Sequence, residues 1–231
     1  MTRPTIYCIS GQAADERLFE NLSWPKEVNV KYIRWIEPLK NETLAHYANR
    51  MMAQMDDDED FLFVGVSLGG IMAIELNKMT RPKRIIIISS ISTNKELPAL
   101  YRLIKLLRLQ QWVPSIVFKW YSPLVNWFFG ARTERERTLF KEYMQTATAN
   151  YMRWSVNAVV NWRNQIRPSN LFHIHGTHDL VFPYKTVKAD VLIDGGTHML
   201  VHNRAEEVSQ LIAEQLKKYG SSDEAQWVQE S

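Results

Sequence analysis

The sequence predicts an α/β protein, a six-stranded, mostly parallel sheet with helices on both faces and one helical insertion. Three observations carry that prediction. Short runs rich in β-branched and aromatic residues alternate with helical periodicities. Some runs are apolar at consecutive positions, as in Arg84–Ser89, which marks strands buried on both faces of a parallel sheet. The alternation breaks once, from Lys95 to about Arg167, where only helical patterns interrupted by Pro98, Pro114, Pro123 and Gly130 remain.

Thr5–Ser10 reads as a buried first strand, with Cys8 inside it as a small apolar side chain. A short helix near Asp15–Leu22 follows, with Asp15 as its N-cap. Val28–Ile36 is the second strand. Over Thr43–Met55, residues Leu44, Tyr47, Ala48, Met51 and Met52 recur at three- and four-residue steps, the mark of an amphipathic helix. The acidic run Asp56–Asp60 ends it as a solvated loop, without the alternating ligand spacing of a calcium site. Phe61–Val66 is the third strand, Gly69–Met79 a helix and Arg84–Ser89 the fourth strand. After the insertion come strands at Leu171–His175 and Asp190–Ile193, then an amphipathic helix from about Arg204 to Tyr219. Residues 1–92 and 168–220 thus form the core, 93–167 the insertion, and 221–231 a frayed polar tail.

The chain of 231 residues is 45% apolar and 23% charged, an ordinary globular composition and long enough to bury a core without staples. Its net charge of +3 contains no Lys/Arg block, so nucleic-acid binding is not expected. The single cysteine rules out an internal disulfide and a thiolate metal cluster. The apolar run before Ser10 is too short for a signal peptide. The uncharged stretches Leu109–Phe118 and Trp120–Ala131 fall short of the roughly 18–20 residues that span a bilayer. A soluble cytoplasmic chain without a transmembrane segment is expected.

Gly65-Val66-Ser67-Leu68-Gly69 matches G-x-S-x-G between a strand and a helix. A turn that tight strains the backbone at Ser67 and leaves no room for a Cβ at the flanking glycines. It also presents the hydroxyl at a helix N-terminus, where free N–H groups favour developing negative charge. A serine nucleophile needs a base, and the base an orienting acid. His198 in Gly195-Gly196-Thr197-His198 and Asp179 in His175-Gly176-Thr177-His178-Asp179 each follow a predicted strand, where ligands gather in open α/β sheets.

The Ser67, Asp179, His198 order, the elbow at Gly65–Gly69, the His-Gly-x-x-Asp-x-x-x-Pro string from His175 to Pro183 and the Gly-Gly-x-His string resemble the α/β-hydrolase superfamily over essentially the whole chain. That resemblance implies a compact, six-stranded version of the fold, lacking the two N-terminal strands of larger members. It implies Ser67 as nucleophile, His198 as general base and acid, and Asp179 as the residue that orients the imidazole. It further implies an oxyanion hole from the backbone N–H of Leu68 and one from the loop Ser10-Gly11-Gln12-Ala13-Ala14. Many relatives have His-Gly in that loop where this chain has Ser-Gly-Gln, which leaves Gln12 and Ala13 open; Gln12 is taken here. No cofactor and no metal is expected. A serine at the elbow sets the chain apart from the carboxylate nucleophiles of dehalogenases and epoxide hydrolases. Ester, thioester, amide or carbon–carbon hydrolysis, or acyl transfer, remain.

Competing residues are few. His202 competes with His198 but lies outside the Gly-Gly-x-His string, and Glu96 competes with Asp179 because some relatives place the acid after the fourth strand. His175 is expected to hydrogen-bond beneath the site, and His178 to be a turn residue. His46 and His173 have no constellation around them. His173-x-His175-x-x-His178-Asp179 is rich in ligand types, but the alternate strand residues His173 and His175 point the same way while His178 faces a turn.

In the insertion, Arg102, Lys105, Arg108, Lys119 and Arg132 occur without an acidic residue over Leu97–Arg132, interleaved with Trp112, Phe118, Trp120, Tyr121, Trp127, Phe128 and Phe129. The resemblance makes this segment a cap over the site. Its aromatic content suggests an apolar acyl pocket, with Tyr143, Tyr151, Trp154, Val159 and Trp162 available to line or support it. The one-sided charge is consistent with a solvated face, an acidic acyl carrier, or an anionic surface. The expected function is a serine esterase or thioesterase acting on a small-molecule ester or thioester. An acyltransferase or lyase on the same residues, or a non-catalytic ligand-binding member of the fold, are the alternatives.

Overall fold

The computed structural model describes residues 3–56, 60–107 and 122–227. Six strands form one sheet: β1 (Thr5–Ile9), β2 (Asn29–Ile33), β3 (Phe61–Val66), β4 (Arg84–Ile88), β5 (Leu171–Gly176) and β6 (Val191–Ile193). They lie in the order β2-β1-β3-β4-β5-β6, and each neighbouring pair is parallel. The central strands are apolar at successive positions because both faces are covered. In β4, Ile85, Ile86, Ile87 and Ile88 are all fully buried. Ile85 and Ile87 pack with Tyr7, Ile9 and Phe63 on one face, and Ile86 and Ile88 with Ile6, Cys8, Val64 and Val66 on the other. Each such isoleucine contributes about 1.5–3 kcal/mol of burial.

Helices complete the layers. On the first face lie α1 (Leu44–Met51), α2 (Leu68–Asn77) and α6 (Ala149–Asn161), and on the second the C-terminal α8 (Ala205–Trp227). The predicted inward residues Tyr47, Ala48 and Met51 of α1 are buried, and Thr43 caps the helix by accepting from the His46 N–H at 3.2 Å. Nearly every side chain of α2 is buried, so that helix runs through the centre of the packing and has no polar face. Between β4 and β5 the described residues contain α3 (Ala99–Leu106), α4 (Pro123–Phe129), α5 (Glu134–Thr146) and α6, and no strand. The short α7 (Leu200–Asn203) precedes α8.

The expected helix Thr43–Met55 is α1 followed by a 3-10 turn over Met52–Gln54, the expected helix Gly69–Met79 ends at Asn77, and three further boundaries differ from the sequence expectation. β2 stops at Ile33, not Ile36, because its sole partner β1 ends at Ile9, the residue paired with Ile33. Asp15 does cap a helical segment, accepting from the Arg17 N–H at 3.0 Å, but that segment is one 3-10 turn over Glu16–Phe19. And α8 continues through Gly220 to Trp227, past Tyr219. A single glycine costs a helix about 1 kcal/mol, and no proline follows to stop it. Residues 228–231 of the expected tail, and 57–59 of the acidic run, lie outside the described residues.

β2 lies to one side of β1 and β3 to the other, so the chain reverses its direction of sheet growth between β1 and β3. In open parallel sheets the crevice at the carboxyl ends of such a strand pair is where ligands bind. The loop Ser10–Ala14 leaves β1 there, and Ser67 leaves β3 beside it.

Candidate active site

Ser67 sits between β3 and α2 with φ +54° and ψ −117°, a backbone conformation that costs a non-glycine residue about 1–3 kcal/mol. Two hydrogen bonds hold it: the Ser67 N–H donates to Ile88 O at 2.9 Å, and Ser90 Oγ donates to Ser67 O at 2.7 Å. The flanking glycines are dictated by space. A Cβ on Gly65 would come within 2.4 Å of Gly69 O, and one on Gly69 within 2.1 Å of Ile9 O. The close approach of Gly69 to Ile9 brings the elbow against the loop after β1, where a Cβ on Gly11 would meet Ser67 Cβ at 3.6 Å.

The loops after β5 and β6 are joined in a similar way. Gly176 lies so close to Gly196 that a Cβ would approach Gly196 O within 2.2 Å, and the His178 N–H donates to Gly196 O at 2.8 Å. This contact sets Asp179 beside His198. The buried Asp179 carboxylate accepts at Oδ1 from the N–H groups of Val181 (2.8 Å) and Phe182 (2.9 Å), and at Oδ2 from His198 Nδ1 (2.8 Å). With Nδ1 donating to the carboxylate, His198 Nε2 is the accepting nitrogen, 2.9 Å from Ser67 Oγ. Ser67, His198 and Asp179 thus lie in one hydrogen-bonded line. Phe129 of α4 and Phe182 flank the imidazole edge-on, with ring centroids 5.6 and 5.8 Å from it.

Of the two loop N–H groups left open by the sequence, that of Ala13 donates to Tyr151 Oη of α6 at 3.3 Å. The Gln12 side chain donates to Ser155 Oγ of the same helix at 2.6 Å. Among the described residues the backbone N–H groups of Gln12 and Leu68 have no acceptor; the first bonds of α2 run from Gly70 and Ile71 to Ser67 O. Burial pushes the Tyr151 hydroxyl well above the usual phenol range, so it stays protonated. The ties from Gln12 and Ala13 to α6 were not legible in the sequence, since their partners lie 143 and 138 residues away.

The competing residues lie elsewhere. Glu96 is buried after β4 and accepts from the Ser92 N–H (2.5 Å), Ser92 Oγ (2.9 Å) and the Lys188 N–H (3.2 Å). His202 Nδ1 meets Asn21 Nδ2 at 2.9 Å, and His46 meets Glu42 at 2.6 Å. His178 meets Thr177 Oγ1 at 3.1 Å. His175 Nε2 donates to Phe182 O at 2.8 Å and lies 3.6 Å from Asp179 Oδ2; its Nδ1 accepts from His173 Nε2 at 3.2 Å. Burial holds both imidazoles below the ordinary histidine range, His173 the further of the two, while the Asp179 carboxylate draws His175 part of the way back. No group of three or more His, Cys, Asp or Glu among the described residues is arranged to hold a metal ion.

Of the basic residues in the insertion, Arg102, Lys105 and Arg132 are exposed. Arg102 also donates to Leu97 O (2.9 Å) and Lys95 O (2.6 Å) at the start of its own helix. Arg108, Lys119, Trp112, Phe118, Trp120 and Tyr121 lie outside the described residues. No helix among the described residues is long and apolar enough to cross a membrane.

No protein-family model matches the chain, and no curated protein matches it. Solved structures do. A bromoperoxidase from Bacillus anthracis aligns at TM-score 0.64 and 14% identity, over 94% of this chain and 92% of its own. The RedJ thioesterase of the prodiginine pathway in Streptomyces coelicolor aligns at 0.65 and 12%, over 93% and 91%. A lipase-esterase related protein from Clostridium acetobutylicum aligns at 0.66 and 14%, over 92% and 94%. What is shared at such identities is the architecture: this chain has the α/β-hydrolase fold.

Proposed function

We propose that the protein is a serine hydrolase that cleaves a carboxylic ester or thioester with an apolar acyl group through an acyl-enzyme. The observation that carries this reading is the continuous line from Asp179 through His198 to Ser67, with spacings of 2.8 and 2.9 Å. In the first half-reaction His198 Nε2 takes the Ser67 proton as Oγ attacks the acyl carbon. The imidazolium is stabilised by Asp179, and the tetrahedral oxyanion is received by the backbone N–H groups of Leu68 and Gln12. We choose Gln12 over Ala13 because the Ala13 N–H is already spent on Tyr151. His198 then protonates the departing alcohol or thiol, and a water activated by the same nitrogen hydrolyses the acyl-enzyme.

Several observations favour an apolar acyl group on a small-molecule substrate. Phe129 and Phe182 flank His198, and Phe129 continues into a ring cluster with Phe128 and Phe140. Among the structural neighbours, RedJ is a thioesterase, and a thermophilic esterase aligns at TM-score 0.64. We assign the insertion between β4 and β5 as the cap. Its exposed Arg102, Lys105 and Arg132 fit delivery of the acyl group by an acidic carrier or from an anionic surface. The reading is tested with a p-nitrophenyl ester series of increasing acyl length. Turnover is expected to rise with chain length and to vanish in Ser67→Ala while the circular dichroism spectrum is unchanged; full turnover in folded Ser67→Ala refutes it.

A further inference from the structure

Beside the loop Ser10–Ala14 lies a cavity of about 290 Å³ at the carboxyl ends of β1 and β2. Neither Ser67 nor His198 lines it. Its volume is at the small end of the range for small-molecule sites, about 300–1,000 Å³. Its walls mix polar and apolar groups, and four aromatic side chains, Phe19, Tyr32, Trp35 and Tyr151, take part. Phe19 and Tyr32 stand 6.0 Å apart and Trp35 and Tyr151 5.8 Å apart, centroid to centroid. The walls are rigid, because Trp35 Nε1 donates to Gly11 O at 2.9 Å and Tyr151 Oη accepts from Ala13 N–H.

The charge at the rim is unbalanced. Asp15, Glu16 and Glu37 face the cavity, against Arg34. Asp15 is paired with Arg17 at 2.8 Å, and Glu16 neutralises Arg34 at 2.6 Å. The Glu37 carboxylate is met only by neutral groups among the described residues, Thr148 Oγ1 at 2.8 Å and Asn150 Nδ2 at 2.7 Å; the Arg50 guanidinium donates to the Glu37 backbone carbonyl at 3.3 Å and is itself paired with Glu42 at 2.8 Å. Aromatic faces carry negative potential, and a carboxylate without a cation adds to it. The complementary ligand is therefore cationic and apolar-surfaced. No group of three or more His, Cys, Asp or Glu among the described residues is arranged to hold a metal ion, and the Glu37 carboxylate disfavours an anion.

From this we infer that the cavity is a binding site for a small organic ammonium ion, its alkyl groups against the rings and its charge toward Glu37. Choline and its neutral isostere 3,3-dimethylbutan-1-ol are the probes, titrated calorimetrically into the full chain. Choline is expected to bind saturably and about tenfold more tightly than the isostere. Glu37→Gln keeps an oxygen for Asn150 and turns its N–H₂ to Thr148 Oγ1, which can accept, and is expected to weaken choline alone. Ala147→Phe, which fills the cavity from the junction between α5 and α6, is expected to abolish both. Equal affinity for the two probes overturns the inference, as does absence of saturable choline binding by folded wild type. Choline affinity unchanged in both variants overturns it as well. None of these outcomes depends on Ser67 chemistry, and each is read with Ser67→Ala as well as wild type.

Discussion

Two loops leave the carboxyl ends of neighbouring strands β4 and β5, and each contains a buried carboxylate. Both accept backbone N–H groups, Glu96 after β4 from Ser92, Thr93 and Lys188, and Asp179 after β5 from Val181 and Phe182. The difference is the remaining acceptor position. In Glu96 it is filled by the neighbouring Ser92 hydroxyl, so the residue closes its own turn. In Asp179 it faces the His198 imidazole, brought there by the contact of Gly176 with Gly196. Burial and hydrogen bonding alone therefore do not mark an acid with a chemical role. What sets the two apart is the side-chain partner, a serine hydroxyl for Glu96 and an imidazole for Asp179.

The widest separation between the loops is expected in activity. Asp179→Asn keeps the shape but presents an N–H₂ group where His198 needs an acceptor, and ester hydrolysis should fall by about 10⁴-fold. Glu96→Gln should leave kcat/KM within about threefold. Its cost should appear in stability instead, about 1–3 kcal/mol in urea unfolding, because charge-assisted bonds to buried N–H groups are weakened. Equal activity losses in the two variants would erase the distinction.

The buried pair His173 and His175 on β5 sharpens the comparison through pH. Both are held neutral, so their folded-state pKa values lie below the unfolded value of about 6.5. The unfolded chain then binds more protons below that pH. The pair's stabilisation is complete above about pH 6.5 and is lost as pH falls. Each group contributes up to about 1.4 kcal/mol per pH unit. Urea midpoints measured from pH 7.5 to 5.5 should drop, and His173→Gln should flatten part of the slope. A pH-independent midpoint in wild type would contradict the assignment.

The smallest effect is expected at the loop after β1. Tyr151→Phe strands the Ala13 N–H and loosens the neighbouring Gln12, which should lower kcat about three- to tenfold with KM little changed. An unchanged kcat would place the loop outside the influence of α6.

The sequence was most readable where local chemistry leaves little choice. Apolar β3 and β4, the glycine-flanked Ser67 and the loops carrying Asp179 and His198 follow from short-range rules, so strands and site residues could be named with their neighbours. β2 was read too long because an edge strand ends where its partner ends, and β1 ends at Ile9. Glu96 and Asp179 could not be told apart by spacing, since the glycine contact between the β5 and β6 loops is tertiary. The ties of Gln12 and Ala13 to α6 were hidden for the same reason, across 143 and 138 residues.

The central claim is that Ser67 is activated by His198, and the most direct test is stoichiometric labelling with a fluorophosphonate probe, followed by mass mapping of the modified peptide. Wild type should be labelled at Ser67, and folded His198→Ala should not react. Labelling that persists undiminished in His198→Ala, or a well-folded wild type that does not react, would contradict it.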